Sequence, residues 1–275
     1  MAGNNRRRRS AGGLKEYGRE NKLSARNFFL DGSCTTDFAG AKAFYTELFG
    51  WELEDMPAGE GFVYSMARLD GKYVAAIYEQ MEEQRAQGAP PNWLSFITVN
   101  DVEARTVEAE RLGAAVLSPP LDVLDSGRMS VVSDPTGAVF SMWQPGNHIG
   151  AQLVNVPGAM TMNELDTRDV PAAKEFYGAL FGWTFEDDPS GAYTNVRNGE
   201  NLNAGMMELA PEWGEVPAHW RVYFAVADCG DSLAKIKELG GQVMMAATEI
   251  PAGRFAVVAD PQGASFSLFE GELDP

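Results

Sequence analysis

The sequence predicts an α+β protein made of two similar units in tandem, each with the same order of strands and helices. Two internal repeats carry this prediction. Residues 36–55 read TDFAGAKAFYTELFGWELED and residues 168–187 read RDVPAAKEFYGALFGWTFED, with eleven of the twenty positions identical. Residues 126–141, SGRMSVVSDPTGAVFS, return as residues 252–267, AGRFAVVADPQGASFS. A unit of roughly 120 residues has the size of a small domain and is too long for a solenoid repeat.

The first unit, residues 27–145, opens with a βαβββ module. Residues 27–35 have strand character. Asp37 then caps a predicted helix that runs to Leu48 and stops at Gly50. Three more strands are predicted at residues 51–55, 62–69 and 73–80.

A second βαβββ module follows a polar connector at residues 81–91. Asp101 is expected to start a helix through Leu112, which Gly113 ends. The strands of this module are predicted at residues 93–99, 114–117, 128–133 and 138–143.

The second unit, residues 160–275, repeats this plan after a linker at residues 146–159. Its helices are predicted at about residues 170–181 and 228–239. Its strands are predicted at residues 160–167, 183–187, 192–197, 204–209, 220–226, 242–245, 254–259 and 264–269.

Charge is spread unevenly along the 275 residues, whose formal net charge is −17. Residues 1–26 carry a net +6 and include the run Arg6-Arg7-Arg8-Arg9, and we expect them to form a solvated, disordered basic tail. That run could also contact nucleic acid, an anionic surface or the protein's own acidic body. The remaining residues carry a net −23, which argues against nucleic acid as a partner of the body.

The cellular location of the protein is predicted from its apolar runs and its cysteines. No run reaches the length of a membrane span, and nothing resembling a signal peptide follows the early arginines. The two cysteines, Cys34 and Cys229, fall in different units, as expected of reduced thiols. We therefore expect a cytoplasmic protein with no membrane partner.

The repeated segments AKAFYTELFGW and AKEFYGALFGW, with SDPTGAVFSMW and ADPQGASFSLF near the ends of the units, resemble the vicinal oxygen chelate superfamily. This superfamily includes glyoxalase I, the bleomycin-resistance proteins and the extradiol dioxygenases. The resemblance covers roughly residues 27–270, and in detail the chain looks like two-domain glyoxalase-like proteins often labelled hydroxylases. It implies that each pair of modules forms a curved, open, mixed sheet with helices outside and a ligand in its cleft. The two domains are expected to pack as a pseudo-dimer, and a homo-oligomer is possible.

The resemblance also indicates where a metal would bind in family members that use one. The ligand positions lie on the first, fourth, fifth and eighth strands. They correspond to Leu30, Ala76, Ser95 and Ser141 in the first unit and to Met162, Gly205, Val222 and Ser267 in the second. None is a customary ligand for a divalent metal, so these positions predict no metal and no cofactor. A divalent metal bound by other residues stays open.

Histidine gives little support for a metal at other positions, since the chain has only two. His148 lies in the linker. His219 precedes Val222 by three residues, and an odd offset on a strand points to the opposite face. We therefore expect neither to act as a ligand.

Glu164 is the candidate catalytic residue. It follows Met162 by two positions, so both side chains should lie on the cleft-facing side of one strand. An acidic group among apolar neighbours is costly unless it is paired or solvated. Glu164 is then either a catalytic base or substrate anchor with a raised pKa, or a structural group that accepts hydrogen bonds from Arg254 or the backbone. The first unit has Gly32 at this position, so the two clefts differ in chemistry.

The other candidates are ligand-binding residues of the second unit. They share a predicted place on a strand facing the cleft or at its mouth, and some have aromatic or methionine side chains that could hold a flat apolar ligand. They are Met162, Asp166, Tyr193, Met207, Trp220, Val222, Arg254 and Ser267.

Three functions are compatible with these patterns. The first is a glyoxalase-like lyase, isomerase or oxygenase-type enzyme that acts on a small oxygenated organic molecule without the usual metal cage. The second is a non-catalytic protein that sequesters a drug or toxin, as bleomycin-resistance proteins do. The third is a scaffold whose clefts are filled by its own side chains.

Overall fold

The computed structural model describes residues 28–57, 62–86 and 88–273. The predicted basic tail, residues 1–26, lies outside these ranges. Each unit contains one eight-stranded sheet, and the first sheet is curled into a half-barrel. The predicted α+β fold of two tandem units is confirmed.

The strands have nearly the same lengths in the two sheets. The first sheet contains β1 (Phe28–Thr35), β2 (Glu52–Pro57), β3 (Val63–Leu69), β4 (Lys72–Glu79), β5 (Asn92–Thr98), β6 (Ala115–Val123), β7 (Gly127–Ser133) and β8 (Val139–Pro145). The second contains β9 (Met160–Thr167), β10 (Thr184–Asp187), β11 (Tyr193–Asn198), β12 (Asn201–Glu208), β13 (His219–Ala225), β14 (Gln242–Ile250), β15 (Gly253–Ala259) and β16 (Ser265–Gly271).

Strand order is the same in the two sheets. The first sheet is ordered β2-β3-β4-β1-β5-β8-β7-β6 and the second β10-β11-β12-β9-β13-β16-β15-β14. In each, the first strands of the two modules pair antiparallel at the centre, β1 with β5 and β9 with β13. The last strand of each module pairs parallel with its own first strand. The cleft face of each sheet is therefore built around two central, fully paired strands.

The helices begin and end with the signals that the repeats contain. They are α1 (Phe38–Phe49), α2 (Glu82–Ala86), α3 (Val102–Arg111), α4 (Val170–Phe181) and α5 (Cys229–Glu238). Asp37 and Asp169 each accept a hydrogen bond from a backbone N–H in the first turn. Gly50 and Gly182 end α1 and α4 at φ 72°, a left-handed conformation that costs glycine little.

Some elements differ from the prediction. The connector at residues 81–91 contains the short helix α2, and a 3-10 helix lies at Pro211–Trp213. The edge strands β6 and β14 each have nine residues where the pattern predicted four. Both pair through register shifts, and most of their residues are exposed or half-buried, so their sequences lack the alternation that marks a regular strand.

The two units share their hydrophobic core. One cluster packs α1 against α5 and the outer faces of β13, β15 and β16, and the other packs α3 and β8 against α4. Two hydroxyls cross the boundary: Tyr45 Oη donates to Asp260 Oδ2 at 2.9 Å and Tyr177 Oη donates to Asp134 Oδ2 at 2.8 Å. The first module of each unit therefore packs on the second module of the other, which is a pseudo-dimer within one chain.

The segment between the sheets is partly buried against them. Ala151, Val154 and Ala159 are each at most 3% exposed, and the Gly158 carbonyl accepts a hydrogen bond from the Trp51 indole at 2.7 Å. Among the described helices, none is long and apolar enough to cross a membrane.

Candidate functional site

The central strand β9 places three predicted site residues on the cleft face of the second sheet. Met162, Glu164 and Asp166 alternate with Asn163 and Leu165, which point into the interior between the two sheets. Met162 is half-buried, whereas Glu164 is 3% and Asp166 0% exposed. The structure therefore brings two carboxyl groups to the floor of this cleft.

Glu164 is held by tyrosine hydroxyls. Tyr223 Oη donates a hydrogen bond to Glu164 Oε1 at 2.7 Å, and the Tyr193 hydroxyl lies beside the same carboxyl group. Burial raises the pKa of Glu164 to about 7, and the neighbouring Asp166 adds to this increase. The positive charge of Arg221 and the two hydroxyls act in the opposite direction. Glu164 can therefore gain and lose a proton near neutral pH.

Tyr193 reaches Glu164 because β12 has a glycine at the contact. A Cβ on Gly205 would lie 1.9 Å from Tyr193 Oη, so only glycine leaves room for this hydroxyl. Gly205 pairs with Glu164 across the parallel strands β12 and β9. Tyr193 Oη also lies 3.6 Å from Met162 Sδ. The space at this fourth-strand position is filled by a tyrosine hydroxyl from β11.

The fifth-strand residue that faces the cleft is Tyr223, and the expectation that Val222 faces it is wrong. Val222 pairs with Asn163 and is fully buried in the core, whereas Tyr223 pairs with Met162. From His219 opposite Asp166 to Tyr223 opposite Met162 the antiparallel pairing is regular, and the irregularity lies beyond these residues, between Tyr223 and Phe224. The cleft-facing position of this strand is therefore one residue later than the sequence spacing placed it.

The same pairing overturns the expectation that His219 faces away from the cleft. In the antiparallel register of β13 and β9, His219 lies opposite Asp166 and Arg221 lies opposite Glu164. His219, Arg221 and Tyr223 therefore all lie on the cleft face. Arg221 and Tyr223 are the site residues that sequence reasoning missed.

Two other candidates lie outside the cleft. Trp220 is in the core, where its indole N–H donates to Tyr177 Oη at 2.8 Å. Arg254 pairs with Glu249 and Glu270, and Glu270 also accepts from the first backbone N–H of α5, which places this group on the helix side of the sheet. Arg254 is thus not the partner of Glu164 that one of the alternatives required.

Ser267 differs from its counterpart in the first unit. It pairs with Tyr223 across parallel strands, and it is fully buried. Its hydroxyl has no hydrogen-bond partner among the described residues, whereas the hydroxyl of the equivalent Ser141 donates to the Ser130 carbonyl at 3.0 Å. A buried hydroxyl without a partner costs free energy, and a ligand oxygen would satisfy it.

A buried ion pair lies beside Glu164. The guanidinium of Arg221, 9% exposed, forms an ion pair with Asp166 Oδ2. Its Nη2 also lies 3.2 Å from His219 Nε2. Burial raises the pKa of Asp166, and Arg221 acts against this increase. The charge of Asp166 is thus balanced by Arg221, which leaves Glu164 without a cation of its own.

Comparison with known proteins decides the family. The model for the Glyoxalase/Bleomycin resistance protein/Dioxygenase superfamily matches residues 32–142, and that for a glyoxalase-like domain matches residues 162–269. The chain belongs to the glyoxalase/bleomycin resistance/dioxygenase superfamily. The resemblance inferred from the repeated segments is confirmed.

The similarity of this chain to related proteins extends over most of its length. Putative glyoxylase CFP32 of Mycobacterium tuberculosis is 45% identical over 241 residues, which cover 86% of this chain and 91% of the relative. Anthracycline biosynthesis protein DnrV of Streptomyces peucetius is 36% identical over 249 residues, 85% of this chain and 89% of the relative. The Mn(II)-bound glyoxalase from Novosphingobium aromaticivorans superposes with a TM-score of 0.63 at 17% identity, over 90% of this chain and 82% of the other, and so shares the fold.

The metal-ligand positions of the superfamily do not suit a metal in this chain. With the register corrected, the second unit presents Met162, Gly205, Tyr223 and Ser267, and the Tyr223 hydroxyl is engaged by Glu164. Within the described ranges, no three His, Cys, Asp or Glu side chains are arranged to hold a metal ion. The donor set therefore does not fit the divalent metal that other superfamily members use.

The first unit of this superfamily member has a cleft closed by its own side chains. The Tyr78 ring lies 2.9 Å from where a Cβ on Gly32 would be, and it contacts the Tyr64 ring at a centroid distance of 4.8 Å. Phe96, at the fifth-strand position, is 5% exposed. The Cys34 thiol donates to Gln84 Oε1 of α2 at 3.8 Å. Among the residues that the structure describes, the second cleft, unlike the first, combines buried ionisable groups with an unpartnered hydroxyl.

Proposed function

We propose that this chain binds a small, oxygen-bearing organic molecule in the cleft of the second domain and transfers a proton through Glu164. The observation that carries the proposal is the buried Glu164 carboxyl group, which accepts a hydrogen bond from Tyr223 at the floor of a cleft lined by Met162 and Met207. Within the glyoxalase-like range of reactions, proton transfer supports a lyase or an isomerase more than an oxygenase.

The residues of the cleft have distinct roles in this proposal. Glu164 in its ionised form accepts a proton from a carbon next to a carbonyl group, and the electron pair moves onto the carbonyl oxygen. The Ser267 hydroxyl, unpartnered among the described residues, donates a hydrogen bond to that oxygen. Protonated Glu164 then returns the proton at the neighbouring carbon or to a leaving group. Tyr223 holds the carboxyl group in place throughout.

The names of the relatives guide the choice of ligands. One is a putative glyoxylase and another an anthracycline biosynthesis protein. We therefore expect ligands among small dicarbonyl compounds and aromatic, quinone-bearing molecules such as anthracyclines. Binding is measured by thermal shift of the full chain after treatment with EDTA, because a ligand at 100 times its Kd adds about 2.7 kcal/mol to stability.

The test of catalysis compares Glu164→Gln with wild type on a ligand found in this screen. We expect the turnover rate to fall by about 10²–10⁴-fold, the range typical of general base removal, while Kd changes only a few-fold. Glu208→Gln, an exposed carboxyl group on β12, is the matched control and should leave both unchanged. Unchanged turnover in Glu164→Gln would contradict the proposal.

Sequestration without chemistry is the second candidate. It is favoured by the half-buried apolar and aromatic side chains around the carboxyl group, which suit a flat ligand: Met162, Tyr193, Met207, Phe255 and Phe269. A ligand that binds wild type tightly but is recovered unchanged after prolonged incubation would support this role. In that case Tyr193→Ala should weaken binding more than Glu164→Gln does.

A further inference from the structure

The Tyr193 hydroxyl has a position in the second cleft that its own hydrogen bond does not explain. It lies 3.6 Å from Met162 Sδ, and a thioether sulfur is a weak acceptor. It also lies beside the Glu164 carboxyl group, which already accepts a hydrogen bond from Tyr223 at 2.7 Å. Glu164 is 3% exposed, whereas Tyr193 is only half-buried, so part of this side chain is open to a ligand. The hydroxyl is therefore a donor with a weak partner at the edge of the reacting groups.

The first unit has a tyrosine at the same position but not the glycine that accommodates it. Tyr64 has the same place on β3 that Tyr193 has on β11, and the place of Gly205 is taken by Ala76 in the first unit. A Cβ on Gly205 would lie 1.9 Å from Tyr193 Oη, so a tyrosine cannot take this course over an alanine. The exchange of alanine for glycine thus places a hydroxyl in the second cleft where the first unit cannot place one.

This hydroxyl keeps its proton and is a neutral donor. Burial, followed by the negative charge of Glu164, raises the pKa of Tyr193, so its hydroxyl is protonated at neutral pH. The charge of the neighbouring Arg221 is already balanced by Asp166. Negative charge that develops on a ligand oxygen in this cleft therefore depends on neutral donors, and a hydroxyl that stays protonated suits that role.

We propose that Tyr193, placed by Gly205, is a second catalytic residue, whose hydroxyl donates a hydrogen bond to the carbonyl oxygen of the ligand. This inference rests on the proposed function, since it requires Glu164 to take the proton. As Glu164 removes a proton from the neighbouring carbon, the electron pair of the C–H bond forms the double bond of an enolate, and the carbonyl π pair moves onto the oxygen that Tyr193 binds. Tyr193 keeps its own proton throughout. A carbonyl oxygen has two lone pairs, so it accepts from Ser267 as well.

The test uses 2-tetralone, an uncharged, flat aromatic ketone with acidic hydrogens next to its carbonyl group. Its binding to the full chain is followed by thermal shift, and the exchange of these hydrogens in heavy water by proton NMR. The carbonyl stretching frequency of the bound, isotope-labelled ketone is measured by infrared spectroscopy. We expect Tyr193→Phe to slow exchange by about 10²–10³-fold, the range found when one donor to a developing oxyanion is removed. It should also raise the carbonyl frequency, because a lost hydrogen bond strengthens the C=O bond.

Gly205→Ala moves the hydroxyl without removing it. Its Cβ would displace Tyr193 Oη, so exchange should slow as it does in Tyr193→Phe. The double variant Gly205→Ala/Tyr193→Phe should exchange about as slowly as Tyr193→Phe, because both changes act through one hydroxyl. Tyr64→Phe, at the same place in the first unit, is the matched control and should leave exchange unchanged.

The outcomes separate this inference from the proposed function. Either a wild-type exchange rate or a wild-type carbonyl frequency in Tyr193→Phe would overturn the role of Tyr193 and leave Glu164 as the base. Further slowing in the double variant would overturn the link between Gly205 and this hydroxyl. A wild-type exchange rate in Glu164→Gln would overturn the proposed function. Wild-type protein that does not bind 2-tetralone, or binds it without exchange, would overturn both.

Discussion

At Glu164 the fold places an ionisable carboxyl group almost completely out of water, and the neighbouring side chains determine whether this group is charged. The Arg221 guanidinium forms its ion pair with Asp166 rather than with Glu164, so among the described residues Glu164 contacts hydroxyls but has no ion pair. Desolvation favours the neutral form of an acid, which raises the pKa of Glu164 to about 7. The residue is thereby kept ready for proton transfer at neutral pH at a cost in stability.

That cost predicts a pH dependence. The folded protein holds a proton on Glu164 up to about pH 7, whereas the unfolded chain releases it near the ordinary value of 4.5. Because the unfolded state binds fewer protons, the contribution of this group to the free energy of unfolding falls as pH rises from about 4.5 to 7, by on the order of 3 kcal/mol. Glu164→Gln should remove this decrease in the free energy of unfolding.

Urea unfolding at pH 5 and pH 8 measures the effect. Relative to wild type, Glu164→Gln should be more stable at pH 8 than at pH 5 by on the order of 3 kcal/mol. Glu208→Gln should show no such difference, since its carboxyl group is exposed. Equal effects of Glu164→Gln at the two pH values would contradict the assignment of a raised pKa.

A second buried carboxyl group lies between the two domains. Asp31 and Asn163 occupy equivalent positions of the two repeats and meet across the domain boundary, with Asn163 Nδ2 3.4 Å from Asp31 Oδ2. Ser95 Oγ donates to Asn163 Oδ1 at 2.9 Å. Burial raises the pKa of Asp31 to about 7. The repeat is asymmetric here because two aspartates at this distance would repel each other.

Asn163→Asp tests this explanation. It places a second carboxyl group next to Asp31 and should destabilise the protein by about 3–5 kcal/mol at pH 8, where both groups would tend to ionise. At pH 5 both are protonated and the loss should be much smaller. The swapped variant Asp31→Asn/Asn163→Asp restores one carboxyl and one amide group, and it should recover most of the stability. Urea unfolding of the three proteins decides the matter; a loss independent of pH would count against charge repulsion.

At the scale of helices and strands, the internal repeats allowed the fold to be predicted from the sequence. Capping aspartates, stop glycines and the order of strands located α1, α3, α4 and α5 and the central strands. The edge strands β6 and β14 were predicted too short, because edge strands with bulges need not alternate. The short helix α2 has no buried residue and hence left no hydrophobic period to read.

The candidate site was predicted only in part, for a physical reason. Glu164, Asp166, Met162, Tyr193 and Ser267 follow from position on a strand once the first strand is aligned. Tyr223 and Arg221 do not, because the face that β13 turns to the cleft is set by its pairing with β9, and the sequence spacing placed the cleft-facing residue one position too early. Pairing between strands is a tertiary contact, so spacing within one strand cannot reveal it.

The hydroxyls of Tyr45 in α1 and Tyr177 in α4 each form hydrogen bonds that join the two domains. Trp220 Nε1 donates to Tyr177 Oη at 2.8 Å, and Tyr177 Oη donates to Asp134 Oδ2 in the turn between β7 and β8. Asp134 Oδ1 meanwhile accepts from the backbone N–H groups of Thr136 and Ala138. Each hydroxyl thus connects a helix of one domain to a turn of the other.

Tyr177→Phe should therefore cost about 1–3 kcal/mol, because it removes the buried hydroxyl that accepts from the Trp220 indole and donates to Asp134. Tyr45→Phe, its repeat equivalent, should cost a similar amount, since Tyr45 bonds Trp93 and Asp260 in the same way. The measurement is the urea midpoint at constant m. Tyr73→Phe is the control, since its half-buried hydroxyl accepts a hydrogen bond from Arg68 of the same domain. Losses below about 0.5 kcal/mol in both helix variants would show that the hydroxyls do not join the domains.

The whole molecule is a pseudo-dimer whose halves lack separate cores. Each hydrophobic cluster draws residues from both sheets, and the rings of Phe49 and Trp51 from the first unit lie 4.9 Å and 5.6 Å from Phe224 of the second. A single unit in solution would expose these aromatic faces, and burial of each large side chain contributes about 1.5–3 kcal/mol. The contact that joins the two units is therefore intramolecular.

This architecture predicts that neither half is stable alone. Residues 27–145 and residues 146–275, produced separately, should each unfold with low cooperativity, bind a hydrophobic dye, or associate with a second copy through the exposed helix face. Mixed in equal amounts, they should form a one-to-one complex that recovers the near-ultraviolet circular dichroism of the intact chain. Introducing Phe224→Ala into the second half should weaken that complex, whereas Leu202→Ala, at an exposed position on β12, should not. Cooperative unfolding of each half as a monomer, with the midpoint of the intact chain, would instead show two independent domains.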